Sequence, residues 1–363
     1  MEMSLEEKKK LVGKFQSDMN KKFGEGTVRK ASDIEDIKSY STGLISLDMA
    51  LGCSGFPKGR IVEISGPNHS GKTTLVLEAI AQSQREDENS MSIFVDAENG
   101  LDKKYAESIG VDLDRLVVVE PLPAEKICDI VREAVNQNIY SYIVVDSTSA
   151  MSPELEQNKD TSITSQIAGT AKLLSSFCRI IVGPLGRSET CLIFTSQIRK
   201  KITANPYENP DVIGHGEALA FYSSIRIKVL KQKELSTTDE TIKNPTTYTI
   251  FKNKCGGKPK AKVEEILVFG KGVDKESDVL IFCMNSGVIS RGGAIYKYTD
   301  NEGVERKWKG QEEVKKELSS NKELLNEILE KAKTLYLKKE DDRDKIEETP
   351  NYASELVEES IED

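Results

Sequence analysis

The chain is poor in the residues that build metal centres and disulfide frameworks. It has two histidines, His69 and His215, and six cysteines that form no C-x-x-C pair, and neither histidine has a cysteine at zinc-ligand spacing. That pattern argues against a zinc cluster and for reduced thiols. Long apolar runs are missing too. Leu116–Val119 and residues 142–145 are strand-sized, far below the roughly 20 residues that a membrane-spanning helix requires. Residues 1–10 alternate acidic and basic side chains without the apolar stretch of a secretory signal, so the expected location is the cytoplasm.

Positive charge is also in deficit, with a formal net charge of −9 over 363 residues. The average misleads. Residues 340–363 hold eleven acidic and two basic side chains, so the whole excess lies there and residues 1–339 sum to zero. A neutral body with an acidic tail does not exclude a nucleic-acid partner. From residue 338 onward there is little apolar material to bury, and residues 338–363 are expected to be a disordered acidic tail.

What is present has order. Ser4 and Glu7 form a capping-box pattern, and Leu11, Val12, Phe15, Met19 and Phe23 recur at helical spacing until Gly24 and Gly26, which predicts an amphipathic N-terminal helix. From about residue 60, strand-like and helix-like segments alternate. This predicts an α/β domain on a largely parallel sheet. The segments at 225–230, 247–252 and 263–269 lack long intervening helices and read as added antiparallel strands. After Gly270, Lys271 and Gly272 the composition shifts, and residues 272–337 are expected to form a small α+β accessory domain, leaving 34–271 as the core.

Residues Gly66, Pro67, Asn68, His69, Ser70, Gly71, Lys72 and Thr73 spell G-x-x-x-x-G-K-[ST] between a hydrophobic strand and a helix, with Thr74 following. Terminal glycines let consecutive N–H groups curl towards phosphate oxygens, and the helix N-terminus adds its positive dipole end. Lys72 is expected to reach the β- and γ-phosphates of ATP and the Thr73 hydroxyl to hold Mg²⁺. Asp146, closing the strand 142–146, is expected on the metal side. Hydrolysis needs a base that positions water. Glu98, just beyond the strand that ends at Asp96, is the candidate, with Asp96 structural.

These residues, together with Ser41, Thr42, Gly43, Leu47, Asp48, Ala50, Leu51, Gly52, and the blocks 94–98, 143–147, 197–199, 252–254 and 269–272, resemble the RecA family of recombinases over residues 10–335. The resemblance implies a RecA-type P-loop ATPase core, with residues 1–33 as a polymerisation arm. It implies that Glu98 activates water, that Asp102 and Tyr105 hold and stack on adenine, and that Gln197 senses the γ-phosphate. Phe269 joins the nucleotide-binding set. Lys252 and Lys254 would reach the nucleotide of an adjacent subunit, with Phe221 relaying that interface.

The DNA contacts it implies are Arg199, Lys200, Lys201, Ile202 and Gly216 in a second loop that runs to about Glu217. A first loop would lie at 157–166, and Ser175 and Arg179 would follow on the next helix. The second loop departs from the family at His215, Glu217 and Ala220, and the segment Gly256, Gly257, Lys258, Pro259 looks rearranged. The implied activity is ATP-dependent filament formation on single-stranded DNA, pairing with homologous duplex and strand exchange. The implied partners are both forms of DNA and further copies of the chain, with a self-cleaving repressor of the damage (SOS) response and single-strand-binding or loading proteins beyond them. A hexameric DNA motor and a non-catalytic DNA-coating filament remain open.

Three phosphate contacts per subunit would give a log–log salt slope of roughly −2 at about 0.7 per contact. Contacts repeated along one strand would make binding cooperative. A flexible tail of 24 residues would span roughly 27 Å, enough to approach basic surfaces of the accessory domain and compete with duplex DNA.

Overall fold

The computed structural model describes residues 3–154, 166–200, 211–213, 218–232, 235–236, 242–258, 260–342 and 352–362. The chain divides into two compact units, Met1–Lys38 and Ser39–Asp363. In the first, the helix Leu5–Phe23 opens on the expected capping box: Ser4 Oγ accepts from Glu7 N–H at 3.3 Å and Glu7 Oε2 accepts from Ser4 N–H at 2.8 Å. None of its residues is buried, and Leu11, Val12, Phe15 and Phe23 are all exposed.

The second unit is built on one mixed sheet. Its strands are β3 (Ile61–Gly66), β4 (Met91–Asp96), β5 (Leu116–Val119), β6 (Tyr140–Asp146), β7 (Cys191–Lys200), β9 (Ile225–Lys231), β11 (Ile242–Asn253), β12 (Lys262–Val268) and β13 (Gly272–Val273). They lie in the order β13-β12-β11-β9-β3-β7-β6-β4-β5, with β8 (Asp211–Ile213) on β7 and β10 (Leu235–Ser236) on β11. A separate short pair joins β1 (Ser39–Tyr40) to β2 (Phe56–Pro57).

Every pairing from β9 through β3, β7, β6 and β4 to β5 is parallel, whereas β9–β11, β11–β12 and β12–β13 are antiparallel. The segment at 225–230 therefore does not follow the antiparallel expectation, since β9 runs parallel to β3. A parallel neighbour needs a crossover, and here the return path includes β8 and the short helix Ala218–Tyr222. The central strands β3, β4 and β6 are buried almost throughout, as sheets covered on both faces require. Ile143 and Val145 of β6, with Leu192 and Phe194 of β7, pack against Ile127 and Val131 of the helix Ala124–Gln137 and Leu174, Phe177 and Ile181 of the helix Gln166–Leu185.

The C-terminal region carries a three-stranded antiparallel sheet, β14 (Ser290–Gly292), β15 (Ile295–Thr299) and β16 (Glu305–Lys309), with helices Lys275–Ser286, Gln311–Ser320 and Lys322–Asp342. Its apolar cluster includes Ile266 of β12 and packs against Ile45 and Met49 of the helix Ile45–Leu51. The expected boundary at 271/272 is therefore not a break between compact units. The tail expectation needs a second correction. Tyr352–Glu362 is a helix, with Ala353, Leu356 and Val357 buried in that same cluster. Spacing of i, i+3 and i+4 gives even a strongly acidic helix one apolar face. Among the described residues, no helix is long and apolar enough to cross a membrane.

Candidate active site

Register brings the carboxyl ends of four strands to one edge of the sheet, with an acidic or amide group on three of them. Gly66 of β3 pairs with Gln197 of β7, and Asp96 of β4 with Asp146 of β6. A cleft of about 940 Å³ opens there, at the carboxyl ends of the parallel strands, where open α/β sheets bind ligands. Its lining includes Asn68, Lys72, Glu98, Asp102, Asp146 and Gln197.

The turn from β3 into the helix Lys72–Glu86 requires its glycines. A Cβ on Gly66 would sit 2.5 Å from Val229 O, and one on Gly71, at φ +97°, would sit 2.5 Å from Leu267 Cδ1. His69 also takes a left-handed φ of 56°. Lys72 is buried, and its ammonium donates to Gly66 O at 3.2 Å and Pro67 O at 2.8 Å. Burial lowers its pKa, against the nearby negative charges of Asp146 and Glu98.

Thr73 Oγ1 donates to Asp146 Oδ2 at 2.6 Å, and Thr195 Oγ1 donates to Asp146 Oδ1. Burial raises the Asp146 pKa, and these two hydroxyls oppose it. Glu98 Oε1 accepts from Gln197 Nε2 at 2.7 Å and from Ser147 Oγ. Asp96 instead accepts from Gly100 and Leu101 N–H, both at 2.9 Å, a loop-holding role. Asp102 caps the helix Lys103–Ile109 by accepting from Lys104 and Tyr105 N–H, and Tyr105 OH shares a 2.7 Å hydrogen bond with Thr74 Oγ1. Pro67 is placed by its carbonyl, and Ser70, Thr74, Gly71 and the exposed Phe269 lie on the cleft wall.

The residues present fit a magnesium nucleotide. Ser70 Oγ is buried in the loop with no hydrogen-bond partner, and the two glycines leave room that a side chain would fill. A hydroxyl and a carboxylate in contact, Thr73 and Asp146, are the hard oxygen donors that Mg²⁺ prefers.

Other expected residues stand elsewhere. Lys252 and Lys254 do not line this cleft. They follow a register shift at residues 250–252 of β11, and Lys252 Nζ donates to Ala220 O and Phe221 O at 2.7 and 2.8 Å. Burial, Lys254 and Arg226 lower the Lys252 pKa. Ser175 and Arg179 lie one turn apart on the helix Gln166–Leu185, the first half-buried and the second exposed. Arg199 and Lys200 end β7, whereas Lys201, Ile202, His215, Gly216, Glu217 and most of the loop at 157–166 lie outside the described residues. Sequence reading assigned no role to Thr195 or Ser147. Thr195 stands two residues before Gln197, hence on the same face of β7, and that spacing was available as a signal.

A parallel sheet with a phosphate loop after β3 and carboxylates at the tips of β6 and β4 defines the class of P-loop nucleotide-binding α/β proteins. The RecA N-terminal domain profile matches residues 10–274. Protein RecA of Campylobacter fetus is 39% identical over 328 residues, spanning 90% of this chain and 93% of the relative. Protein RecA of Nautilia profundicola is 37% identical over 331 residues, spanning 90% and 91%, and that of Mycoplasma mobile is 38% identical over 318, spanning 87% and 93%. A crystal structure of the RadB recombinase superposes with a TM-score of 0.48 at 18% identity, covering 64% of this chain and 98% of that one. The chain belongs to the RecA family.

Proposed function

We propose that this chain is an ATP-dependent recombination and repair protein that polymerises on single-stranded DNA, pairs it with homologous duplex and exchanges strands, hydrolysing Mg-ATP at the cleft between β3, β4, β6 and β7. The observation that carries the reading is the bond from Gln197 Nε2 to Glu98 Oε1. It joins the candidate base to the last residue of β7 that pairs with β3, two residues before the basic run that begins at Arg199.

In this reading Lys72 leaves its loop carbonyls for phosphate oxygens, and the loop N–H groups and Ser70 hydroxyl cradle them. Thr73 and Asp146 would hold magnesium, which neutralises charge on the phosphates when bound. Glu98 holds and deprotonates the attacking water. Gln197 turning from Glu98 Oε1 to a γ-phosphate oxygen removes one hydrogen bond from the carboxylate, which makes it a stronger base, and shifts the start of the DNA loop. Nucleotide state is thereby read out at the DNA. Asp102 and Tyr105 border the adenine end, and Lys252 and Lys254 complete the site of a neighbouring subunit.

Lys72→Ala should abolish DNA-stimulated ATP hydrolysis, and Glu98→Gln should lower it about 10²- to 10⁴-fold with nucleotide binding retained. Full activity in either variant would overturn the site assignment. Strand exchange with homologous but not heterologous duplex tests the function itself. Electron microscopy with DNA and a nonhydrolysable nucleotide should show open helical filaments, and closed rings would point to a motor instead.

A further inference from the structure

Cys53 lies in the loop between the helix Ile45–Leu51 and β2, and Cys255 lies in the turn between β11 and β12. Hydrogen bonds stitch these segments together. Gly257 N–H and the Asn253 side-chain amide both donate to Leu51 O, at 3.1 and 3.0 Å, while Asn253 Oδ1 accepts from Cys255 N–H at 2.8 Å. The approach is so close that a Cβ on Gly52 would stand 2.4 Å from Gly257 N. Across this seam, where an added Cβ on Gly52 would also stand 2.7 Å from Gly256 C, Cys53 lies opposite Cys255.

The pair differs from the remaining cysteines. All six are free thiols, and Cys53 alone is partly exposed. Burial pushes Cys128, Cys178 and Cys283 up to about 12 and Cys191 well above its ordinary value. Cys255 moves the other way: the hydrogen bond from Cys53 favours its thiolate, burial opposes it, and the Arg60 charge assists. The Cys53 S–H rests on Gly55 O at 3.2 Å. Thiolate character and a neighbouring resolving thiol are what make a cysteine pair oxidisable.

We propose that Cys53 and Cys255 are a redox modification site, at which a peroxide converts the pair reversibly to an intramolecular disulfide. The Cys255 thiolate attacks one oxygen of hydrogen peroxide. An S–O bond forms, the O–O bond breaks, and the departing hydroxide takes up the proton that Cys255 lost, leaving as water. Cys53 sulfur then attacks the sulfenic sulfur. The S–S bond forms, the S–O bond breaks, and the Cys53 proton leaves with the hydroxyl as a second water. The two sulfurs give up two electrons, which reduce one peroxide.

The disulfide fastens the turn after Lys252 and Lys254 to the loop that follows the helix Ile45–Leu51. Lys254 N–H donates to Ser224 O at 3.0 Å, and Lys252 holds the carbonyls of Ala220 and Phe221, so the clamp acts on the segment that carries both lysines.

The test uses the full-length reduced protein, treated with hydrogen peroxide, denatured in the presence of N-ethylmaleimide and digested for mass spectrometry. The expected result is a Cys53–Cys255 cross-linked peptide, removed by dithiothreitol, with Cys128, Cys178, Cys191 and Cys283 alkylated. The oxidised protein should melt at a higher temperature than the reduced one, because a cross-link closing so long a loop restricts the unfolded chain. Cys53→Ser and Cys255→Ala should each lose both the cross-link and the shift. Cys53→Ser, at the more exposed position, serves where Cys255→Ala folds poorly. Alkylation of both thiols after oxidation, cross-links to other cysteines or between chains, or a melting temperature that does not respond would overturn the proposal.

Discussion

Gly71 is required twice over, by its φ of +97° and by Leu267 Cδ1, which would lie 2.5 Å from an added Cβ. A left-handed conformation costs a non-glycine residue roughly 1–2 kcal/mol, and the overlap with Leu267 adds to it. Gly71→Ala should therefore weaken nucleotide binding about tenfold or more, measured by calorimetry on protein with unchanged circular dichroism. Wild-type affinity would show that the loop can shift its Leu267 wall. The glycines, Lys72 and Thr73 were legible in the sequence because the chemistry of a phosphate loop fixes their spacing along the chain. Ser147 was not, and Thr195 only as a residue sharing a strand face with Gln197, because what gives them a role is the lateral pairing of β6 with β7 and β4, which no local pattern records.

The helix Tyr352–Glu362 shows the same limit for whole elements. Its charge suggested a solvated tail, yet Leu356 and Val357 are almost fully buried beside Ile266 and Trp308. The acidic side chains have partners: Arg291 pairs with Glu355 and Glu359 at 3.2 and 2.9 Å, and Tyr296 OH donates to Glu359 at 2.7 Å. Leu356→Ala should cost about 2–5 kcal/mol, read from urea unfolding, and a loss under about 0.5 kcal/mol, the range of surface substitutions, would mean the helix is not docked in solution.

Where the helix starts, Glu264 of β12 accepts from Ala353 N–H. Burial raises its pKa to about 7 from 4.5, aided by Glu355 and opposed by that hydrogen bond and by Lys262. A raised carboxyl stabilises the fold fully below about pH 4.5, and that contribution fades as pH rises to about 7. Glu264→Gln should remove this fade, so its melting temperature should gain on wild type as pH rises across that window. Parallel curves would mean that Glu264 is solvated. The strands themselves were readable from apolar runs, but the direction of β9 was not, since it depends on where the chain re-enters the sheet.

At the scale of the molecule, the acidic excess and the docked helix have to be separated. The tail was expected to compete with duplex DNA, and deletion from Glu340 onward would be the obvious test. That deletion also removes Ala353, Leu356 and Val357 from the C-terminal core, so it should lower the melting temperature whatever the charge does. Asp341, Asp342, Asp344, Glu347 and Glu348 precede the docked helix, and they supply negative charge without its apolar face. Converting these five to Asn and Gln keeps Ala353, Leu356 and Val357 in the cluster, so the melting temperature should stay within about 2 °C of wild type. If the charge acts as a brake, duplex binding should tighten, with the gain largest at low salt and shrinking as the Debye length falls from about 30 Å at 0.01 M to about 8 Å at 0.15 M. Unchanged affinity in the substituted protein, with or without an effect of the deletion, would assign this segment to packing and solubility and leave the control of duplex binding to the cleft and its loops.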